Sequence, residues 1–143
     1  MNIVLRVTAL VLFIGLALCD LPPAKVLPRK IVNVPDGGEL VLEVPTTYTS
    51  EWSRTVGGDR QFVEPCFTDS HYNRRLCGKW RTGSGWPVYN ERAVPVEVKM
   101  EGGKLTMPKV SKADEGEYFT LYDVGGGLYH YQYFDVKVLS PEH

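Results

Sequence analysis

Cys66, His71, Cys77 and His130 are the side chains of this 143-residue chain best suited by type to bind a metal. Thiolate and imidazole donors bind zinc when four of them converge at short, regular intervals. Here His71 lies between the two cysteines and His130 far downstream, a spacing that matches no closed zinc site. Two cysteines in an oxidising compartment form a disulfide instead. A Cys66–Cys77 bridge would close a loop of about ten residues and contribute about 2–3 kcal/mol. No metal and no cofactor are expected.

Catalysis has no better footing. The chain contains no Gly-x-Ser-x-Gly, no phosphate-binding glycine loop and no His-Glu-x-x-His. Asp114 and Glu115 are adjacent carboxylates, but nothing converges on Glu115. The protein is therefore not expected to be an enzyme. Inside the loop closed by the cysteines, Arg74-Arg75 could present a basic segment to a trypsin-like protease. A secreted serine-protease inhibitor acting through the Cys66–Cys77 loop is accordingly the alternative function.

The elements that position these residues follow from the hydrophobic pattern. Residues 1–19 have Arg6 near the start, an apolar run Val7–Leu18 and a small Ala17 three residues before a cut after Cys19. That pattern predicts a signal peptide, because the apolar run is too short to cross a bilayer. The product would be secreted and extracellular, with no transmembrane segment after signal removal. Without Arg6 the chain has 15 basic and 17 acidic residues, a net of −2. That balance gives no reason to expect nucleic acid or a membrane surface as partner. What remains has the size of one domain.

Residues 20–29, with Pro22, Pro23 and Pro28, form an extended leader, and 140–143 a short tail. Between them, strands are predicted at Lys30–Val34, at Glu39–Val44 with Leu40, Leu42 and Val44 on one face, and at Gln61–Phe67. Residues near 66–90 are dense in turn formers and form a disulfide-stapled excursion that carries Trp80, Trp86 and Tyr89. Val94–Met100 and Lys104–Val110 make a hairpin around Glu101-Gly102-Gly103. Glu117–Tyr122 and Leu128–Leu139 follow as strands, joined through Gly125-Gly126-Gly127.

The spacing Asp114-x-Gly116-x-Tyr118 resembles the E–F corner of an immunoglobulin-like domain, where the tyrosine hydroxyl ties back to the preceding turn. Gly37 precedes Leu40, Leu42 and Val44 as in strand B of that family, and Trp52 fits its strand C tryptophan. The similarity spans residues 30–139, with a B-to-F separation like that of the variable type. It implies an all-β fold, a two-sheet antiparallel β-sandwich in a single domain. Val44 and Thr120 stand where the family places the cysteines of its inter-sheet disulfide. That bridge cannot form here. The resemblance also implies Arg92, 22 residues before Asp114, as the partner of that aspartate.

Period two then distributes the aromatic residues. With Phe134, Val136 and Val138 inward, Tyr129, Tyr131 and Tyr133 face outward. With Tyr118 and Thr120 inward, Phe119 and Leu121 face outward as well. Strands F and G are neighbours in the family, so the two rows would form one patch. Tyrosine-rich patches suit recognition, since each ring offers area and a hydroxyl at low entropic cost. The resemblance adds that this sheet face is a common partner-binding surface. The expected function is extracellular protein–protein recognition through the F–G face. The partner would be a cell-surface or secreted protein, or a second copy in self-association. The alternative arrangement has the excursion folding back and covering the patch with Phe67, Trp80 and Trp86.

Overall fold

The computed structural model describes residues 23–66 and 75–141. In chain order the strands are β1 (Lys25–Val26), β2 (Lys30–Pro35), β3 (Leu40–Glu43), β4 (Trp52–Val56) and β5 (Asp59–Val63). They continue with β6 (Arg81–Thr82), β7 (Lys99–Glu101), β8 (Lys104–Met107), β9 (Gly116–Gly125) and β10 (Leu128–Leu139). A short 3-10 turn at Lys112–Asp114 precedes β9.

Alternating burial explains why these segments pair as two layers. In β3 Leu40 and Leu42 are buried while Val41 and Glu43 are exposed. In β10 Gln132, Phe134, Val136 and Val138 point inward, alternating with less buried neighbours. Each strand thus has one face to bury, and a second sheet is what covers it. The larger sheet has the order β1-β10-β9-β4-β5-β6, with β2 also pairing β10. The smaller has the order β3-β8-β7. β1 and β2 both run parallel to β10, and the other ladders are antiparallel. The predicted two-sheet all-β sandwich is the observed fold.

Trp52 and Phe134 meet on the inner side of the larger sheet with ring centroids 5.8 Å apart, and Leu40, Leu42, Val44, Leu105 and Val136 belong to the same core cluster. Burying each such aliphatic side chain stabilises the fold by about 1.5–3 kcal/mol. Val44 and Thr120 are both buried, and the Thr120 hydroxyl donates to the Glu51 carbonyl at 2.7 Å. The polar member of that pair is therefore satisfied rather than stranded.

Three expectations need correction. The leader is not merely extended, because Lys25 and Val26 join the sheet beside His130 and Tyr131. The strand predicted at Gln61–Phe67 begins earlier, at Asp59, because Gly57 and Gly58, at φ of 56° and 82°, turn the chain tightly after β4. The excursion is not a plain loop either. Trp80 is completely buried, the bridges Lys79↔Glu97 and Tyr89↔Pro95 tie the excursion to the segment that follows it, and Arg81↔Pro87 closes it on itself. The apolar indole outweighs the glycines around it, so the chain follows its tryptophan inward.

Candidate interaction face

The corner that aims β9 comes first, since it decides which way its side chains face. The Tyr118 hydroxyl donates to the Asp114 carbonyl at 2.6 Å, closing the turn between β8 and β9. Arg54 Nη1 donates to Asp114 Oδ1 and to the Tyr118 hydroxyl, each at 2.9 Å, and Arg54 Nε donates to Gln61 Oε1 at 2.7 Å. The Arg54 guanidinium also lies 4.3 Å from the Trp80 ring centroid. Burial pushes the Tyr118 phenol up to about 12, and nearby Arg54 offsets part of that rise. Gly116 follows because a side-chain carbon there would sit 2.1 Å from the Thr55 carbonyl oxygen.

Arg92 does not pair with Asp114. It is exposed in the turn just after the excursion, and its backbone N–H donates to Asn90 Oδ1. Arg54 takes the role because the register of β4 on β9 sets it directly beside Tyr118, facing inward with Trp52 and Val56.

A tyrosine corner, a sheet carrying β5 and β6 beyond β4, and a facing sheet of β3, β8 and β7 together define the architecture. The fold is immunoglobulin-like. In that scheme β3 is strand B, β4 strand C, β5 and β6 strands C′ and C″, β7 and β8 strands D and E, and β9 and β10 strands F and G.

No protein-family model matches the chain, and no curated protein matches it. Similar solved structures include the first Ig-like domain of human CD48 antigen, at 13% identity and a TM-score of 0.44, covering 80% of this chain and 84% of that one. Another is the CD2-binding domain of CD58 (lymphocyte function-associated antigen 3), at 14% identity and a TM-score of 0.39, covering 76% and 54%. A third is the novel immune-type receptor 10 extracellular fragment from Ictalurus punctatus, at 16% identity and a TM-score of 0.42, covering 77% and 97%. At these values the assignment of the immunoglobulin-like fold rests on the chain's own strand order and corner.

On the outer face of strands F and G, the register pairs Phe119 with Tyr133, Leu121 with Tyr131 and Asp123 with Tyr129. The five predicted residues, Tyr129, Tyr131, Tyr133, Phe119 and Leu121, therefore lie together on one side of the sheet. Phe119 and Tyr133 stack at 5.0 Å with an interplanar angle of 25°, and Tyr131 lies 6.1 Å from Tyr133. A register shift falls between Leu128 and Tyr129, just ahead of the row, so Tyr129 keeps the parity of Tyr131.

Sequence reasoning missed the arginines of this face. Arg29 lies 5.2 Å from the Tyr133 ring, Arg60 lies 5.2 Å from Phe119, and Arg81 lies 4.4 Å from Phe62. Arg29 pairs with Glu117 and Asp135, and Arg81 with Glu64 at 3.1 Å. A signal was available for Arg60, in the period-two parity of β5, which points Arg60 and Phe62 the same way. A cleft of about 250 Å³ opens on the same face, lined by Glu51, Ser53, Arg60, Phe119, Leu121 and Tyr131 among others.

The described part of the excursion does not cover this face. Trp80 is buried between the sheets and Trp86 is 73% exposed, while Phe67 lies outside the described residues. Cys66 and Cys77 are joined in a disulfide with Cα atoms 4.9 Å apart, so neither offers a thiolate to a metal. His71 and Arg74 lie outside the described residues, as do residues 1–22. Arg75 accepts a hydrogen bond at its carbonyl from Lys79 Nζ at 3.0 Å.

Proposed function

We propose that the protein is a secreted recognition module that binds another extracellular protein through the outer face of strands G, F, C and C′. One observation carries the reading: Tyr129, Tyr131 and Tyr133 on strand G and Phe119 and Leu121 on strand F lie side by side in one outward patch, with arginines over Tyr133 and Phe119. Interface cores are enriched in aromatic residues and arginine, and such residues dominate measured binding energies. Stacking also holds the rings in place before contact, which lowers the ordering cost of association. The Cys66–Cys77 disulfide fits an oxidising compartment, as secretion requires.

The test is an avidity-enhanced screen of the protein against a panel of extracellular domains, wild type beside Tyr131→Asp. Binding lost in a folded Tyr131→Asp variant, by at least about 1–2 kcal/mol, supports the reading. Unchanged binding by that variant removes the face from consideration.

A further inference from the structure

Arg92 and Asp114 line a common cleft instead of meeting each other. It has a volume of about 770 Å³, and residues 88–92 and 109–115 both contribute to its lining. Strand D begins only at Lys99, and the chain ahead of it stays with the excursion. There the Val96 N–H donates to the Val88 carbonyl at 2.9 Å, and the Val96 carbonyl accepts from the Trp80 N–H at 3.1 Å. Held in this way, the segment leaves the corner uncovered, and the cleft reaches down to strands C and C′.

Its floor is built from two side chains more than nine-tenths buried, Arg54 and Gln61. Gln61 Oε1 accepts from Arg54 Nε, which leaves the amide nitrogen of Gln61 as a donor. Gln61 Nε2 and Arg54 Nη2 donate to nothing among the described residues. Among those residues the donors both sealed from solvent and unpartnered are Trp80 Nε1 and Arg81 Nε. Gln61 Nε2 and Arg54 Nη2 are therefore not sealed, and they open onto the cleft that their side chains line. Asp114 is different, because each of its oxygens already accepts a hydrogen bond, from Arg54 or from the Ser111 N–H.

Basic and acidic residues are equal in number along the lining, so the overall field favours neither sign. The floor decides instead, with two free donors and no free carboxylate oxygen. Two neighbouring donors match the two oxygens of a carboxylate, and hydrogen bonds to an ionised acceptor are about twice as strong as neutral ones. Val56, Val88, Val96 and Val110 supply an apolar lining, which suits an apolar body behind that headgroup.

We infer that the cleft binds a small organic acid, its carboxylate seated on Arg54 Nη2 and Gln61 Nε2 and its apolar body against the valines. The site lies on the inner side of strands C and C′, apart from the recognition face on their outer side.

The test is a nuclear magnetic resonance titration of isotope-labelled protein, expressed from its full sequence, with phenylbutyrate as probe and phenylbutanol as its uncharged control. Saturable shifts are expected at the Gln61 side-chain amide and the Arg54 Nε–H, with the alcohol bound at least about tenfold more weakly. Gln61→Glu keeps an acceptor for Arg54 Nε but replaces the free donor by a negative oxygen. It should weaken the acid at least about tenfold and leave the alcohol unchanged. The inference is overturned by a wild type without saturable shifts at those two groups at about 20 mM probe. Equal binding of acid and alcohol overturns it too, as does a folded Gln61→Glu variant that binds the acid like the wild type. Should Gln61→Glu not fold, the wild-type shifts and the ratio of acid to alcohol affinity decide alone.

Discussion

Arg54 Nη1 and Asp114 Oδ1 meet at 2.9 Å, with the arginine side chain only 2% exposed. The pair joins the central strand of the large sheet to the turn that launches strand F. Asp114 Oδ2 also accepts the Ser111 backbone N–H at 2.9 Å, so one carboxylate holds both the turn and the guanidinium. Removing the acid leaves a buried cation with a neutral environment, which costs far more than losing a surface ion pair.

Asp114→Ala is expected to destabilise the domain by about 3–5 kcal/mol, whereas Arg92→Ala should fall within about 0.5 kcal/mol of the wild type. Urea unfolding of both variants measures the difference. Equal losses would falsify the assignment of Arg54, rather than Arg92, as the partner of Asp114.

Stability should also fall at high pH in a particular window. The Tyr118 phenol is raised from 10.0 to about 12 in the folded state, chiefly by burial. Below the unfolded value both states carry the proton and the contribution is fully present. Between the two values the unfolded chain has lost its proton and the folded one has kept it. The folded state therefore loses about 2–3 kcal/mol as pH rises from about 10 to about 12. Thermal melts of wild type and Tyr118→Phe across this range should show a steeper decline for the wild type. Parallel curves would mean that the phenol ionises as freely in the folded state as in the unfolded.

Trp80 separates volume from hydrogen bonding. Its indole N–H is buried and has no partner among the described residues, while its ring lies 5.7 Å from Tyr118 in an edge-on contact. Trp80→Ala should cost about 3–5 kcal/mol through the cavity it leaves. Trp80→Phe should cost distinctly less, because it removes an unsatisfied donor along with part of the ring. Denaturant midpoints decide the matter, and comparable losses in the two variants would count against it.

The parts of the fold legible in the chain are those written in local chemistry. Asp114, Gly116 and Tyr118 encode a turn whose donors and acceptors lie within five residues of one another. The alternation of Phe134, Val136 and Val138 orients strand G without help from elsewhere. Arg54 was not legible in the same way, since an arginine between Ser53 and Thr55 has the composition of a solvated strand. Its burial depends on Trp80 and Asp114, which come from two distant segments. Trp80 in turn sits among glycines that argue for a loop, and tertiary burial overrides them. The aromatic row was readable by parity, as was the shared side of Arg60 and Phe62 on β5, but the contacts of Arg60 and Arg29 with the rings were not, because they arise from β5 and from the segment just ahead of β2.

The parallel pairing of β2 with β10 has a mechanical consequence. Six residues, Lys30 to Pro35, run in register beside Phe134 to Leu139 in the same direction. Tension applied to the chain ahead of β2 and beyond β10 therefore pulls the two strands past each other along their length. Their hydrogen bonds are loaded together in shear, not opened one at a time from an end. A domain tethered at both flanks would resist stretching through this patch, with the sandwich behind it shielded until the patch gives way.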